Sequence, residues 1–136
     1  MALAKMEHFL VLTDDIDATR NFYRDILQME QGFRPTMEFP GYWLYADGIA
    51  CIHIGERTAY QTYADAAGLA ASQRAPGTGP VDHIAFRTQD IDEIVTRLKR
   101  HGVAFGQNAV PDIGLRQLFF YDPNGLKIEI NFMQRN

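Results

Sequence analysis

The sequence holds a single cysteine, Cys51, among 136 residues, so no internal disulfide framework staples it and a hydrophobic core must hold it together. No run of about 18 apolar residues exists, which excludes a membrane-spanning helix. The opening MALAKMEHF lacks the long apolar stretch of a signal peptide, and a cytoplasmic protein is the expectation. Positive charge is scarce as well: 13 Lys and Arg against 17 Asp and Glu give a formal net charge of −4. That balance supplies no electrostatic reason to expect nucleic acid or a membrane surface as partner. What remains is the composition of a soluble globular protein, long enough for one domain or two small pseudo-repeats.

The clearest local pattern is Phe119 to Phe132, FFYDPNGLKIEINF. Asp122-Pro123-Asn124-Gly125 has the composition of a type I turn: Asp opens it, Pro presets φ and Gly tolerates the exit. After it, Leu126, Ile128, Ile130 and Phe132 share one face of a strand, and Lys127, Glu129 and Asn131 the other. Glu129 is thus a carboxylate between two isoleucines.

In chain order, His8 to Leu12 reads as a strand covered on both faces. Asp15 is placed to cap a helix with Ile16, Phe22, Tyr23, Ile26 and Leu27 at helical spacing. Phe33 to Phe39 is expected as a second strand with Pro35 at an edge or bulge, Tyr42 to Ala46 as a third, and Asp47-Gly48 as a hairpin into a fourth, Ile49 to Ile54. Residues 56–80, poor in large aliphatics and ending in PGTGP, read as a linker in which Ala64 to Ala71 forms a helical turn or two and Tyr60 and Tyr63 sit on the loop or cover a cavity. The pattern then restarts. His83 to Phe86 is a strand; Asp90 and Glu93 form a capping box for a helix through Ile91, Ile94, Val95 and Leu98, which Gly102 ends. Val103 to Phe105, Arg116 to Tyr121 and Lys127 to Phe132 complete three further strands. Each half reads βαβββ: a first module over about 5–55, a second over about 81–133.

The halves align. His8 with TDDID (Thr13 to Asp17) matches His83 with TQDID (Thr88 to Asp92) at a shift of 83 − 8 = 75. Ile52-His53-Ile54 follows the first histidine by 53 − 8 = 45 residues and Ile128-Glu129-Ile130 the second by 129 − 83 = 46, one inserted residue apart. A lone strand histidine is most often a hydrogen-bonded or surface residue. That reading leaves unexplained why equivalent places of a duplicated module are all His or Glu. Pairing two such modules about a pseudo-twofold would gather His8, His53, His83 and Glu129, a donor set that suits Fe(II), Zn(II), Ni(II), Co(II) or Mn(II) better than Mg or Ca.

With these motifs together, the sequence resembles the vicinal oxygen chelate superfamily, which includes glyoxalase I, extradiol dioxygenases, methylmalonyl-CoA epimerase, fosfomycin-resistance enzymes and bleomycin-binding proteins. The resemblance spans His8 and its strand, NFYRDIL, Asp82 to Phe86 and YDPNGLKIEINF; Gln28 stands where a glycine is usual. It implies an α+β fold of two paired βαβββ modules, forming a curled mixed sheet around a central cavity and assembling as a homodimer. It implies a divalent metal on His8, His83 and Glu129, with His53 in the variable fourth position, open to vicinal oxygens of a small-molecule substrate. Similarity to glyoxalase I makes Glu129 a base as well as a ligand; similarity to extradiol dioxygenases makes His53 catalytic.

The members differ at readable positions. Where glyoxalase I holds glutathione with an Arg and an Asn, this chain has Leu12 and Arg57; where extradiol dioxygenases carry a Tyr, it has Phe119, with Tyr121 two residues away. Trp43, Tyr42 and Tyr45 would suit a metal-free binding protein of the bleomycin-resistance type, or plain core packing. The expected activity is that of a glyoxalase-like isomerase or lyase, with an extradiol-type Fe(II) dioxygenase and a metal-free binding protein as alternatives.

Overall fold

The computed structural model describes residues 2–69 and 77–134. The chain divides into two units, Met1–Gln73 and Arg74–Asn136. In the first, β1 (Phe9–Thr13), α1 (Ile16–Leu27), β2 (Glu30–Gly32), β3 (Gly41–Ala46), β4 (Ile49–Glu56) and α2 (Arg57–Ala67) follow in order. In the second come β5 (His83–Arg87), α3 (Ile91–Arg100), β6 (Gly106–Val110), a 3-10 turn at Pro111–Ile113, β7 (Leu115–Tyr121) and β8 (Lys127–Met133). Each unit carries a four-stranded mixed sheet, ordered β1-β4-β3-β2 and β5-β8-β7-β6. The fold is α+β, as the pattern predicts. Among the described residues no helix is long and apolar enough to cross a membrane.

The duplication extends to register. In the parallel pairs Leu10 faces His53 and Ala85 faces Glu129; in the antiparallel pairs Trp43 faces His53 and Phe119 faces Glu129. The offsets are 85 − 10 = 75 for the first strands and 129 − 53 = 119 − 43 = 76 for the others, so the inserted residue falls between the first strand and the hairpin of the second unit. The cores follow strand alternation. Ile52 and Ile54 are buried with Tyr23, Ile26 and Leu44, and Ile128 and Ile130 with Ile84, Ile91, Leu98, Leu118 and Phe120. Each such isoleucine contributes about 1.5–3 kcal/mol of burial.

Caps set the connections. Asp15 accepts from the Ala18 amide at 2.9 Å and starts α1. The turn at Asp122 closes by the Gly125 amide on the Asp122 carbonyl, with Gly125 at φ 83° and the buried Asp122 carboxylate accepting from the Asn124 and Leu126 amides. Asp90 accepts from the Glu93 amide at 3.1 Å, but Glu93 pairs with Arg97 and the Asp90 amide is bonded instead to the Thr88 hydroxyl, so only half of the expected capping box forms.

Three further expectations are corrected. Phe33 to Phe39 is not a strand: β2 ends at Gly32, because Pro35 and Pro40 cannot donate to a ladder, and Phe39 turns inward to be buried. The strand expected at Val103 to Phe105 begins at Gly106, because the Gly102 and Val103 amides are still closing α3 on the Lys99 and Leu98 carbonyls. The presumed linker contains a full helix, α2, running from Arg57 to Ala67 rather than starting at Ala64; Glu56 caps it, accepting from the Thr58 and Ala59 amides. Its Tyr60 and Tyr63 pack on Phe39, with ring centroids 5.0 and 5.4 Å away. Ala70 and Ala71 lie outside the described residues.

Gln28, standing at the usual glycine, is explained by its backbone. It ends α1 in the left-handed region at φ 56°, where a side chain is strained. Gln28→Gly is therefore expected to be at least as stable as the wild type, and Gln28→Val about 1–2 kcal/mol less stable than Gln28→Gly. Urea unfolding of the three proteins checks this; a glycine variant weaker than the valine variant contradicts it.

Candidate functional site

Burial of the isoleucines on the helix-covered face of each sheet sends the side chain between them to the other face. That places His53 on β4 and Glu129 on β8 in equivalent positions. Each is met there by a histidine at the start of its own unit: His8, just before β1, and His83, the first residue of β5.

In the second unit, His83 Nε2 lies 3.3 Å from Glu129 Oε1. His83 Nδ1 is 2.8 Å from Asp82 Oδ2. A carboxylate only accepts, so Nδ1–H donates to Asp82, and between Nε2 and Glu129 Oε1 there is room for either a proton or a shared cation. Donors held about 2.1 Å from one tetrahedral ion stand about 3.4 Å apart, so the pair fits a metal edge. The Lys127 ammonium, 2.7 Å from Asp82, and then His83 hold the Asp82 carboxyl below its ordinary range.

Behind Glu129 runs a row of amides. Asn131 Nδ2 donates to Glu129 Oε2 at 2.8 Å, Gln117 Nε2 to Asn131 Oδ1 at 3.0 Å, and Asn108 Nδ2 to Gln117 Oε1 at 2.8 Å. Gln117 faces Asn131 and Asn108 faces Gln117 in the ladder, so the sheet itself sets this row. It occupies Oε2 and leaves Oε1 to face His83.

In the first unit, His8 Nδ1 is 2.9 Å from Glu7 Oε1, so Nδ1–H donates to the carboxylate as it does in His83. Its ring stacks on His53 with centroids 3.7 Å apart and planes 13° apart, and Trp43 stacks on the opposite face of His53 at 3.9 Å. His53 Nε2 lies 3.0 Å from the Ala50 carbonyl oxygen, so in this ring Nδ1 keeps the lone pair. Burial, reinforced by His8, pushes His53 below its ordinary value, and the ring is neutral at pH 7. Lone pairs lie in the ring plane, so two stacked imidazoles cannot both aim at one ion; His53 joins His8 as a ligand only if a ring turns.

Each unit thus brings together one pair of the predicted quartet. Among the described residues no group of three or more His, Cys, Asp or Glu side chains is arranged so that it could hold a metal ion. Tyr42 does not join Trp43: its hydroxyl donates to Asp17 on α1 at 2.5 Å, which raises the Tyr42 pKa, and Arg20 lies over its ring. Cys51 is half-buried, and that burial keeps its thiol protonated. Sequence reasoning missed Glu7 and Asp82, although both are acidic at the repeat offset of 82 − 7 = 75. It also missed the amide row, which only ladder register reveals.

The family model described as the Glyoxalase/Bleomycin resistance protein/Dioxygenase superfamily matches residues 5–130. "Glyoxylase I 4" of Arabidopsis thaliana is 30% identical over 137 aligned positions, covering 94% of this chain and 70% of that protein. Among solved structures, a glyoxylase/bleomycin resistance protein/dioxygenase domain from Frankia sp. EAN1pec superposes with a TM-score of 0.74 at 18% identity, covering 99% of this chain and 96% of that one. A mutant of the fosfomycin resistance protein FosX from Listeria monocytogenes, complexed with Mn(II) and 1S,2S-dihydroxypropylphosphonic acid, gives 0.69 at 19% identity, covering 97% and 94%. With the duplicated βαβββ units and the match over residues 5–130, the chain belongs to the Glyoxalase/Bleomycin resistance protein/Dioxygenase superfamily.

Proposed function

We propose that this chain is a cytoplasmic, homodimeric, metal-dependent enzyme with glyoxalase-like isomerase or lyase chemistry on a small, oxygen-chelating substrate. The observation that carries the reading is His83 Nε2 facing Glu129 Oε1 at 3.3 Å while Asp82 engages Nδ1. His8, prepared in the same way by Glu7, is the third ligand of the proposed site. Carboxylates that fix ligand histidines in this manner are characteristic of metal centres. His53 is assigned beside the ligands as a neutral base acting through Nδ1.

A divalent ion held there would act as a Lewis acid toward the substrate's oxygens. Glu129 then takes the proton from one carbon and returns it to the neighbouring carbon, while Asn131 orients the carboxylate through Oε2. His53, neutral at pH 7, carries the hydroxyl proton to the former carbonyl oxygen, so the isomerising substrate loses no proton. Ring cleavage is the less supported chemistry. Phe119, opposite Glu129, has no hydroxyl, and Tyr121 faces Lys127 and is exposed.

Glu129→Gln keeps an oxygen donor but loses the base, so turnover is expected to fall by at least two orders of magnitude with most of the metal retained. Asn131→Leu frees the carboxylate and is expected to weaken metal affinity about 10–100-fold. Metal content and calorimetric affinity of both variants, with turnover of vicinal-dicarbonyl and hemithioacetal substrates, check the pair. Wild-type protein that binds no divalent ion, or a Glu129→Gln variant with full turnover, defeats the reading. The dimer is tested by sedimentation equilibrium, which should give twice the 15.4 kDa chain mass at micromolar concentration; a monomer rejects it.

A further inference from the structure

Arg34 is held in an unusual way. Its Nη2 donates to the Phe39 carbonyl at 2.7 Å, its guanidinium lies 5.2 Å over the Phe39 ring, and its Nε is buried without a hydrogen-bond partner. The other arginines described in the first unit each pair with a carboxylate: Arg20 with Asp17 at 3.7 Å, Arg24 with Asp25 at 2.9 Å and Arg57 with Asp14 at 3.2 Å. Among the described residues Arg34 has no such pair, although the chain carries a net charge of −4. Glu38 shares with it a shallow hollow of about 380 Å³ yet makes no ion pair with it.

Its position ties it to the site face of the first sheet. Gly41 faces Gly55 in the ladder, and Trp43 faces His53 in the next pair on the same side. At Gly55 an added Cβ would lie 3.1 Å from the Phe39 ring; at Gly41 it would first meet the Ile54 carbonyl oxygen at 2.0 Å, with Arg34 Nη2 3.2 Å away. Gly55 therefore lets the Phe39 ring lie directly on the sheet, and the Arg34 guanidinium sits beside the strand at Gly41, one row from the His8–His53–Trp43 stack. Burial depresses Arg34 itself, so an unpaired cation is maintained here against desolvation.

We propose that Arg34 is a specificity-determining residue that binds an anionic group, a carboxylate or a phosphate-type oxyanion, on the substrate. A planar fork with most of its donors unspent matches either group. The inference rests on the proposed function and narrows its substrate class to small oxygen-chelating molecules that are also anions.

The test uses full-length protein freed of metal with EDTA, so that failure of the metal reading leaves this result intact. Inorganic phosphate and, separately, acetate are titrated while the Nε1–H resonance of Trp43, the single tryptophan, is followed together with the backbone amides of residues 34–43. Saturable one-to-one shifts are expected with at least one probe, and the tighter probe names the oxyanion. Arg34→Met should abolish saturation. Arg34→Lys, which keeps the charge and most of the stem, should weaken binding at least ten-fold and serves as the control should the methionine variant not fold. Saturation in Arg34→Lys equal to wild type, or no saturable shift in the wild type with either probe, overturns the proposal.

Discussion

Four isoleucines fix the direction of the chemistry. Ile52, Ile54, Ile128 and Ile130 are essentially inaccessible to solvent, and as long as they stay on the helix side of their sheets, His53 and Glu129 must emerge on the other. A slip of one residue in β4 or β8 would reverse both sets at once, exposing each isoleucine at about 1.5–3 kcal/mol and burying a polar side chain in its place. Against a total stability of about 5–15 kcal/mol, such a slip is not tolerable. The parallel pairing of β1 with β4 and of β5 with β8 then brings His8 to His53 and His83 to Glu129.

On that frame the two units have diverged in what surrounds the conserved geometry of the pairs. The second is polar: a carboxylate held by an amide row on one side and meeting His83 on the other. The first is aromatic: His53 is clamped between two rings and made neutral by burial. The duplicated module has thus placed a carboxylate at one of the two equivalent positions and an imidazole at the other. Glu7 and Asp82 are the shared element, each presetting the tautomer of its histidine.

Much of this was legible because the repeat imposes the same signals twice. The histidines, the Asp15 and Asp90 caps and the isoleucine-flanked residues all sit at offsets of 75 or 76, and the structure keeps those offsets in its ladders. What escaped sequence reading lies where tertiary contacts overrule local pattern. Phe33 to Phe39 alternates like a strand, but Pro35, the following Pro40 and the burial of Phe39 against Gly55 take it out of the sheet. Helix α2 is built from Ala, Thr and Tyr, and only its packing on Phe39 identifies the apolar side. The amide row and Arg34 depend on cross-strand neighbours far apart in sequence. Alternation shows which face a residue occupies, not what stands beside it.

The central claim is that His8, His83 and Glu129 serve one ion. An anomalous-difference map of the protein loaded with Mn(II), taken on the full assembly, tests it most directly. The account predicts one peak per site with His8 Nε2, His83 Nε2 and Glu129 Oε1 each about 2.0–2.3 Å away, the His8 donor coming from the same chain or from a partner copy. A peak held by His83 and Glu129 with every His8 more than about 8 Å distant, far beyond ligation range, or no peak at all, would contradict it.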